Sequence, residues 1–227
     1  MIKKKEVAGP GWLEVLVAVA TFAVLLVPFG LLLGLLPHDR PVLMGVVGST
    51  LGGFIGVGAF AAAFSLRIRT LRPFGFVAVA NWWLIIAAGV GIGGYGLNLI
   101  IQYVYTTWFG YDDPQGVLHA AARGGALPFI ASLLGGAVFT PFGEEILFRG
   151  VVANALNRYG VWGGVGLSSV IFGLAHGVSV ILPVAIMVGV LSAILFRQTG
   201  SVWPCVVLHG MYNGANSVAS ALSAAPA

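Results

Sequence analysis

Apolar residues run along this chain in stretches long enough to cross a bilayer, broken by short clusters of charge, glycine and proline. The stretches fall at 12 to 36, 42 to 65, 76 to 104, 127 to 158, 161 to 179, 180 to 197 and 201 to 222, and about 20 apolar residues span the roughly 30 Å of hydrocarbon. Only helices and closed barrels satisfy every backbone group in lipid. Runs of this length, without strict alternation, predict an all-α fold, a polytopic transmembrane bundle of about seven to eight helices. The first run follows Lys3, Lys4 and Lys5 but has no convincing cleavage site, so it reads as a retained helix rather than a signal peptide.

The fourth stretch breaks the pattern. At about 1.5 Å per residue it would reach about 48 Å, too long to cross straight. Thr140-Pro141-Phe142-Gly143 lies in its middle, where proline removes a backbone hydrogen bond, so a kink or break is expected there. One kinked or partly re-entrant passage and two full crossings are the alternatives.

Basic residues distinguish these two and orient the bundle, since positively charged short loops stay cytoplasmic. With one passage and the N-terminus inside, Lys3, Lys4, Lys5, Arg67, Arg69, Arg72, Arg158 and Arg197 fall inside, against Arg40 and Arg123 outside. Two crossings would move Arg158 and Arg197 outside and erase the bias. The one-passage topology is therefore the expectation, for a multi-pass protein of the cell membrane with a cytoplasmic N-terminus. Composition adds little beyond this: 59% hydrophobic and 8% charged residues exclude a soluble domain of this size, and the net charge of +4 follows topology and attraction to anionic lipid, with no nucleic-acid partner implied. The single cysteine, Cys205, excludes an internal disulfide. The organisation expected is a tail with three accessory helices over 1–126, a helical core over 127–222 and a short tail over 223–227.

Candidate chemistry lies in the core. Of seven acidic residues, Glu6, Glu14, Asp39, Asp112 and Asp113 fall in the tail, near a span end or in loops, whereas Glu144 and Glu145 are deep in an apolar stretch. A charge near the bilayer centre costs at least about 2.5 to 3.5 kcal/mol on insertion scales, so such residues mark candidate functional sites. On a helix Glu145 and Arg149 are i,i+4 neighbours and can pair, leaving Glu144, about 100° around, free to act as a general base. A buried structural ion pair with a spare glutamate is the alternative. Two later stretches add His176 in Phe172-Gly173-Leu174-Ala175-His176, and His209 with Asn213 in His209-Gly210-Met211-Tyr212-Asn213. Counted from the inside ends, Glu144 and His176 lie about 21 Å deep and His209 about 12 Å deep, so three helices bring polar groups to overlapping levels. His38 and His119 fall in loops.

The ordered set Glu-Glu-x-x-x-Arg, Phe-x-x-x-His and His-x-x-x-Asn resembles the three signature motifs of the CPBP intramembrane proteases, also called the Abi or type II CAAX endopeptidase family, over roughly 127 to 216. The resemblance implies a membrane-embedded endopeptidase acting near the cytoplasmic face on a peptide or protein substrate, including a lipidated one. Glu144 would deprotonate the attacking water with Glu145 and Arg149 in support, His176 and His209 would position the water or ligate Zn2+, and Asn213 would stabilise the oxyanion. Two histidines and a glutamate can form a three-ligand zinc site, although one glutamate cannot easily be both ligand and base; Glu145 is the alternative ligand, at the expense of its pair with Arg149. Other intramembrane hydrolases fit worse: Gly164-Val165-Gly166-Leu167-Ser168-Ser169 lacks a Gly-x-Ser-x-Gly nucleophile, every aspartate lies in a loop, and no His-Glu-x-x-His helix occurs. A non-enzymatic immunity or scaffold protein, or a proton-coupled transporter using Glu144 as a relay, is the alternative class. A bacterial or archaeal plasma membrane would suit the chain.

Glycine spacing adds an architectural expectation. Gly48, Gly52 and Gly56, and Gly89 with Gly93, recur every four residues and permit close helix approach, within one protomer or between two. Asn98 and Gln102 form a polar pair, and Trp12, Trp108, Trp162 and Trp203 lie near span ends as interfacial anchors.

Overall fold

Long apolar stretches become helices throughout, and the computed structural model describes residues 9–110 and 113–223. Lys3, Lys4, Lys5, Glu6, Asp112 and all but Ser223 of the short C-terminal tail lie outside the described residues. The helices are α1 (Trp12–Leu35), α2 (Pro41–Leu66), α3 (Asn81–Phe109), the short α4 (Gly116–Arg123), α5 (Ala126–Tyr159), α6 (Trp162–Ala175), α7 (Ile181–Thr199) and α8 (Trp203–Leu222). No strand occurs among the described residues.

Five of these, α1, α2, α3, α5 and α7, are long and apolar enough to cross a membrane. The expectation of seven to eight spans is corrected at two places. α6 has fourteen residues and about 21 Å of rise, short of the length of those five. α8 has 20 residues, but His209, Asn213, Asn216, Ser217 and Ser220 make it less apolar than the others.

Of the kink or break expected at Thr140 to Gly143, the break is absent. α5 continues as one passage, with π-helical turns at Leu134–Phe139 and Phe148–Ala153 on either side of a regular segment at Thr140–Leu147. Pro141 sits at the start of that regular segment, where the register of backbone bonds has just changed and its missing N–H falls at the junction. The start of the third span is also later than expected. Residues 76 to 80 lie outside any helix: Gly75 turns the chain with φ +86° and its carbonyl accepts from Val202 N at 3.0 Å, while Ser201 Oγ donates to the Val77 carbonyl at 2.7 Å.

Polar contacts gather the helix ends as the charge pattern expects. Arg67 grips Glu14 through Nε and Nη2, at 2.6 and 2.9 Å, Arg158 donates to the Pro10 carbonyl and Arg197 to Asn157 Oδ1, so these three arginines share one end of the bundle. Arg123 is at the other, donating to the Ser220 carbonyl and Ser223 Oγ. Glu14, read from sequence as lying near a span end, is fully buried and held by both Arg67 and the Gly11 amide.

Glycine packing divides by helix. A Cβ on Gly143 of α5 would strike the Gly53 carbonyl of α2, and one on Gly56 would strike the Gly143 carbonyl, so α2 and α5 touch backbone to backbone. At Gly89 and Gly93 a Cβ would meet nothing within 4 Å, and Gly91, against the Leu208 carbonyl, is the close approach on α3. Asn98 and Gln102 bond to each other at 3.0 Å within α3.

The charge bias predicts which end faces the cytoplasm. In a Cys205→Ser background, single cysteines beside Arg72 and Arg197 should react with an impermeant thiol reagent only from the cytoplasmic side; labelling beside Arg197 from outside would invert the bundle.

Candidate active site

Glu144 and Glu145 lie on the regular segment of α5 between its two π-helical stretches, packed against α2 and α8. Burial forces each ionic group to find a partner, since an unpaired charge in a low-dielectric interior is costly. Glu145 and Arg149 are both fully buried and pair through Oε2 and Nε at 2.8 Å. The other oxygen, Oε1, meets His209 Nδ1 at 3.0 Å. The guanidinium carbon of Arg149 sits 4.9 Å from the centre of the Phe172 ring, a cation–π contact. Phe172 also packs against both imidazoles, with ring centres 4.6 Å from His176 and 5.8 Å from His209.

Glu144 is 8% exposed and turned the other way. Its Oε2 lies 3.6 Å from His176 Nε2 and 3.9 Å from His209 Nε2, and has no hydrogen-bond partner among the described residues. Tautomers follow from the other ring nitrogens. His176 Nδ1 is 2.8 Å from the Phe172 carbonyl, an acceptor only, so Nδ1 carries the proton; the Glu145 carboxylate sets the same tautomer for His209. In their neutral form both rings present bare Nε2 atoms to Glu144. Three acceptors converge with no donor between them, an arrangement that a water's two hydrogens or a shared proton satisfies.

Asn213 is one turn beyond His209 on α8 and lines the same cavity. One Nδ2 hydrogen goes to the Gly136 carbonyl at 2.7 Å, and the amide has a second to give. Of the expected constellation, Glu144, His176, His209 and Asn213 line one cavity; Glu145 reaches it through His209, and Arg149 through Glu145.

Residues 126–215 match the family model described as type II CAAX prenyl endopeptidase Rce1-like. The matched segment runs from the start of α5 into α8 and holds all six residues of the constellation, while α1 to α4 lie outside it. Comparison with curated proteins and with solved structures returns no match. A Glu/His cluster of this kind inside a segment similar to a prenyl endopeptidase supports an enzymatic role.

Sequence reading missed what α2 contributes. Thr140 Oγ donates to the Ser49 carbonyl at 2.8 Å and accepts from the Gly53 amide at 3.0 Å, placing its hydroxyl between two groups one turn apart in α2. One turn on, a Cβ at Gly52 would stand 2.5 Å from Glu144 Oε1, so glycine there leaves the carboxylate its place. The four-residue glycine repeat was the available signal, without an indication of its partner. Two cavities meet at this point and share Gly48, Gly52, Glu144 and His176. An apolar groove of about 260 Å³ runs along Phe22, Leu26, Phe29 and Leu33 of α1. A more polar chamber of about 240 Å³ runs from Glu144 toward α4, where Gln115 and His119 line it. His119, expected in a solvated loop, is instead on α4, 3.3 Å from Asp113.

The zinc expectation can be tested against these donors. Among the described residues, no group of three or more His, Cys, Asp or Glu side chains is arranged to hold a metal ion. Glu145 is spent on Arg149 and His209, so only Glu144 could join the two Nε2 atoms as a third ligand. That would consume the base. The donor set does not fit a zinc hydrolase with a separate glutamate base.

Two variants check the division of labour. Glu145→Gln strands Arg149 and should lower stability by about 3 to 5 kcal/mol, with partial recovery on adding Arg149→Met, measured by thermal or denaturant unfolding in detergent. Thr140→Val should cost about 1 kcal/mol, in the range of membrane hydrogen bonds, whereas Thr140→Ser should keep wild-type stability; equal behaviour of the two would remove the hydroxyl's role.

Proposed function

We propose that this protein is an intramembrane endopeptidase of the CAAX protease type, with Glu144 as general base. The observation that carries the reading is the unpartnered Glu144 oxygen facing two imidazole Nε2 atoms inside a buried cavity.

In this reading a water bridges Glu144 Oε2 and the two Nε2 atoms. As its oxygen attacks the scissile carbonyl carbon, Glu144 takes one proton. The carbonyl π bond opens to an oxyanion, and the free hydrogen of Asn213 Nδ2 is the donor aimed at it, one such donor typically contributing about 2.7 to 4 kcal/mol. Glu144 then gives the proton to the leaving nitrogen, the C–N bond breaks, and a carboxylic acid and an amine are released. His209 is kept in one tautomer by Glu145, and Glu145 is kept ionised by Arg149, so the inner pair acts on the water through His209. His176 is oriented by the Phe172 carbonyl.

The substrate in this reading is a peptide or protein with an apolar or lipidated part, because the groove along α1 reaches Glu144 directly from the lipid-facing side. Membrane lipids are the other partner. The protein sits in the plasma membrane with its arginine-rich end cytoplasmic.

Glu144→Gln is nearly isosteric and removes proton affinity without packing. Purified protein should lose peptide cleavage by at least about a hundredfold while its melting temperature stays near wild type. Retained cleavage in Glu144→Gln, with a dead but well-folded Glu145→Gln, would reverse the two glutamates; proton-coupled uptake lost in Glu144→Gln, without any peptidase activity, would assign the site to transport. Since the donor set does not accommodate a metal alongside the base, cleavage should survive strong chelators.

A further inference from the structure

The polar chamber differs from the catalytic cluster in its charge. Between Glu144 and the α4 end its lining mixes apolar side chains such as Leu118, Val184 and Val188 with the carboxamides and hydroxyls of Gln102, Gln115, Asn216, Ser217 and Ser220, and holds no lysine or arginine among the described residues. Its cationic neighbour Arg123 is not part of the lining and is engaged by Nε on the Ser220 carbonyl and by Nη2 on Ser223 Oγ. His119 is paired with Asp113, whose carboxylate also stands beside Gly116 at the first turn of α4. The groove offers no cation either.

A free C-terminal carboxylate has no counter-charge on either path. Held in the chamber it would be desolvated and would face the Glu144 carboxylate, so burial and like-charge repulsion both oppose it. Carboxamides and hydroxyls, in contrast, can donate to and accept from the N–H and C=O groups of an extended backbone without a charge. Length points the same way. From His209 to Ser220 along α8 is about 16 Å, enough for about five extended residues, and Gln115 at the far end lies in the segment preceding α4.

Resting on the endopeptidase reading, we infer that the bond cut is internal to the substrate: an uncharged polar segment of at least about five residues threads the chamber and leaves it at the α4 end, instead of ending inside as a free carboxylate close to the scissile bond.

The test uses the full-length protein in lipid nanodiscs and synthetic peptides with an apolar N-terminal half and a C-terminal half of serine, asparagine and glutamine. Each peptide is made as free acid and as amide, with the polar half three or eight residues long, and mass spectrometry locates the cut. The eight-residue forms should be cut five or more residues from the end, acid and amide within about twofold, and the three-residue acid should be at least tenfold slower. Asn216→Lys places a cation in the chamber and should raise the rate on the three-residue acid relative to its amide by about tenfold. Cleavage confined to three residues before a free carboxylate, blocked by the amide, would overturn the inference and leave the endopeptidase intact. Failure of Glu144-dependent cleavage on every peptide would overturn the endopeptidase reading and this inference with it.

Discussion

The organisation of the interior depends on one constraint: Arg149 and Glu145 are charged and fully buried in an apolar bundle. Such a pair is costly where its remaining lone pairs and protons go unmet, and Arg149 Nη1 and Nη2 have no hydrogen-bond partner among the described residues. Glu145 supplies its second oxygen to His209, and Arg149 lays its guanidinium on Phe172, so three helices, α5, α6 and α8, are brought to one point by the needs of a single ion pair. The consequence for chemistry is indirect but strong. With Glu145 saturated and His209 locked at Nδ1, the bare nitrogens and the remaining carboxylate have no partner except each other and whatever enters between them.

The chain wrote this cluster legibly because its residue types are expensive in lipid. Glu144, Glu145 and Arg149 stand out in an apolar stretch, and helical spacing already pairs 145 with 149. Depth counting brought His176 to the level of Glu144 and left His209 about 9 Å shallower; in the structure both imidazoles reach Glu144, at 3.6 and 3.9 Å. Grouping of Arg67, Arg158 and Arg197 at one end, with Arg123 at the other, was equally readable from alternation of the spans.

What stayed hidden has a common physical cause: hydropathy reports transfer into lipid, not which helix a side chain meets. It gave α6 a full crossing, although the polar turn at His176 to Ser179 ends the helix after fourteen residues. It allowed a break at Pro141, where a π-helical turn instead absorbs the missing donor. It extended the third span back to residue 76, because nothing local signals that Ser201 and Val202 hold that segment out of a helix. The four-residue glycine repeat on α2 was visible, yet the same repeat on α3 faces open space; the partner helix decides the meaning of the spacing, and α5 is that partner only for α2.

The contact of Thr140 with α2 bears on how transferable this site is. The segment similar to the prenyl endopeptidases begins at residue 126, but the floor beneath Glu144 is Gly52, and the hydroxyl one turn before it is seated between Ser49 and Gly53. A helix grafted in place of α2 would need a glycine at the level of the carboxylate, further glycines where the backbones touch, and an open carbonyl for the threonine. The six residues of the cluster are therefore not a portable module: moved into another bundle without this helix, the same side chains would keep their spacing along the chain and lose their place in space.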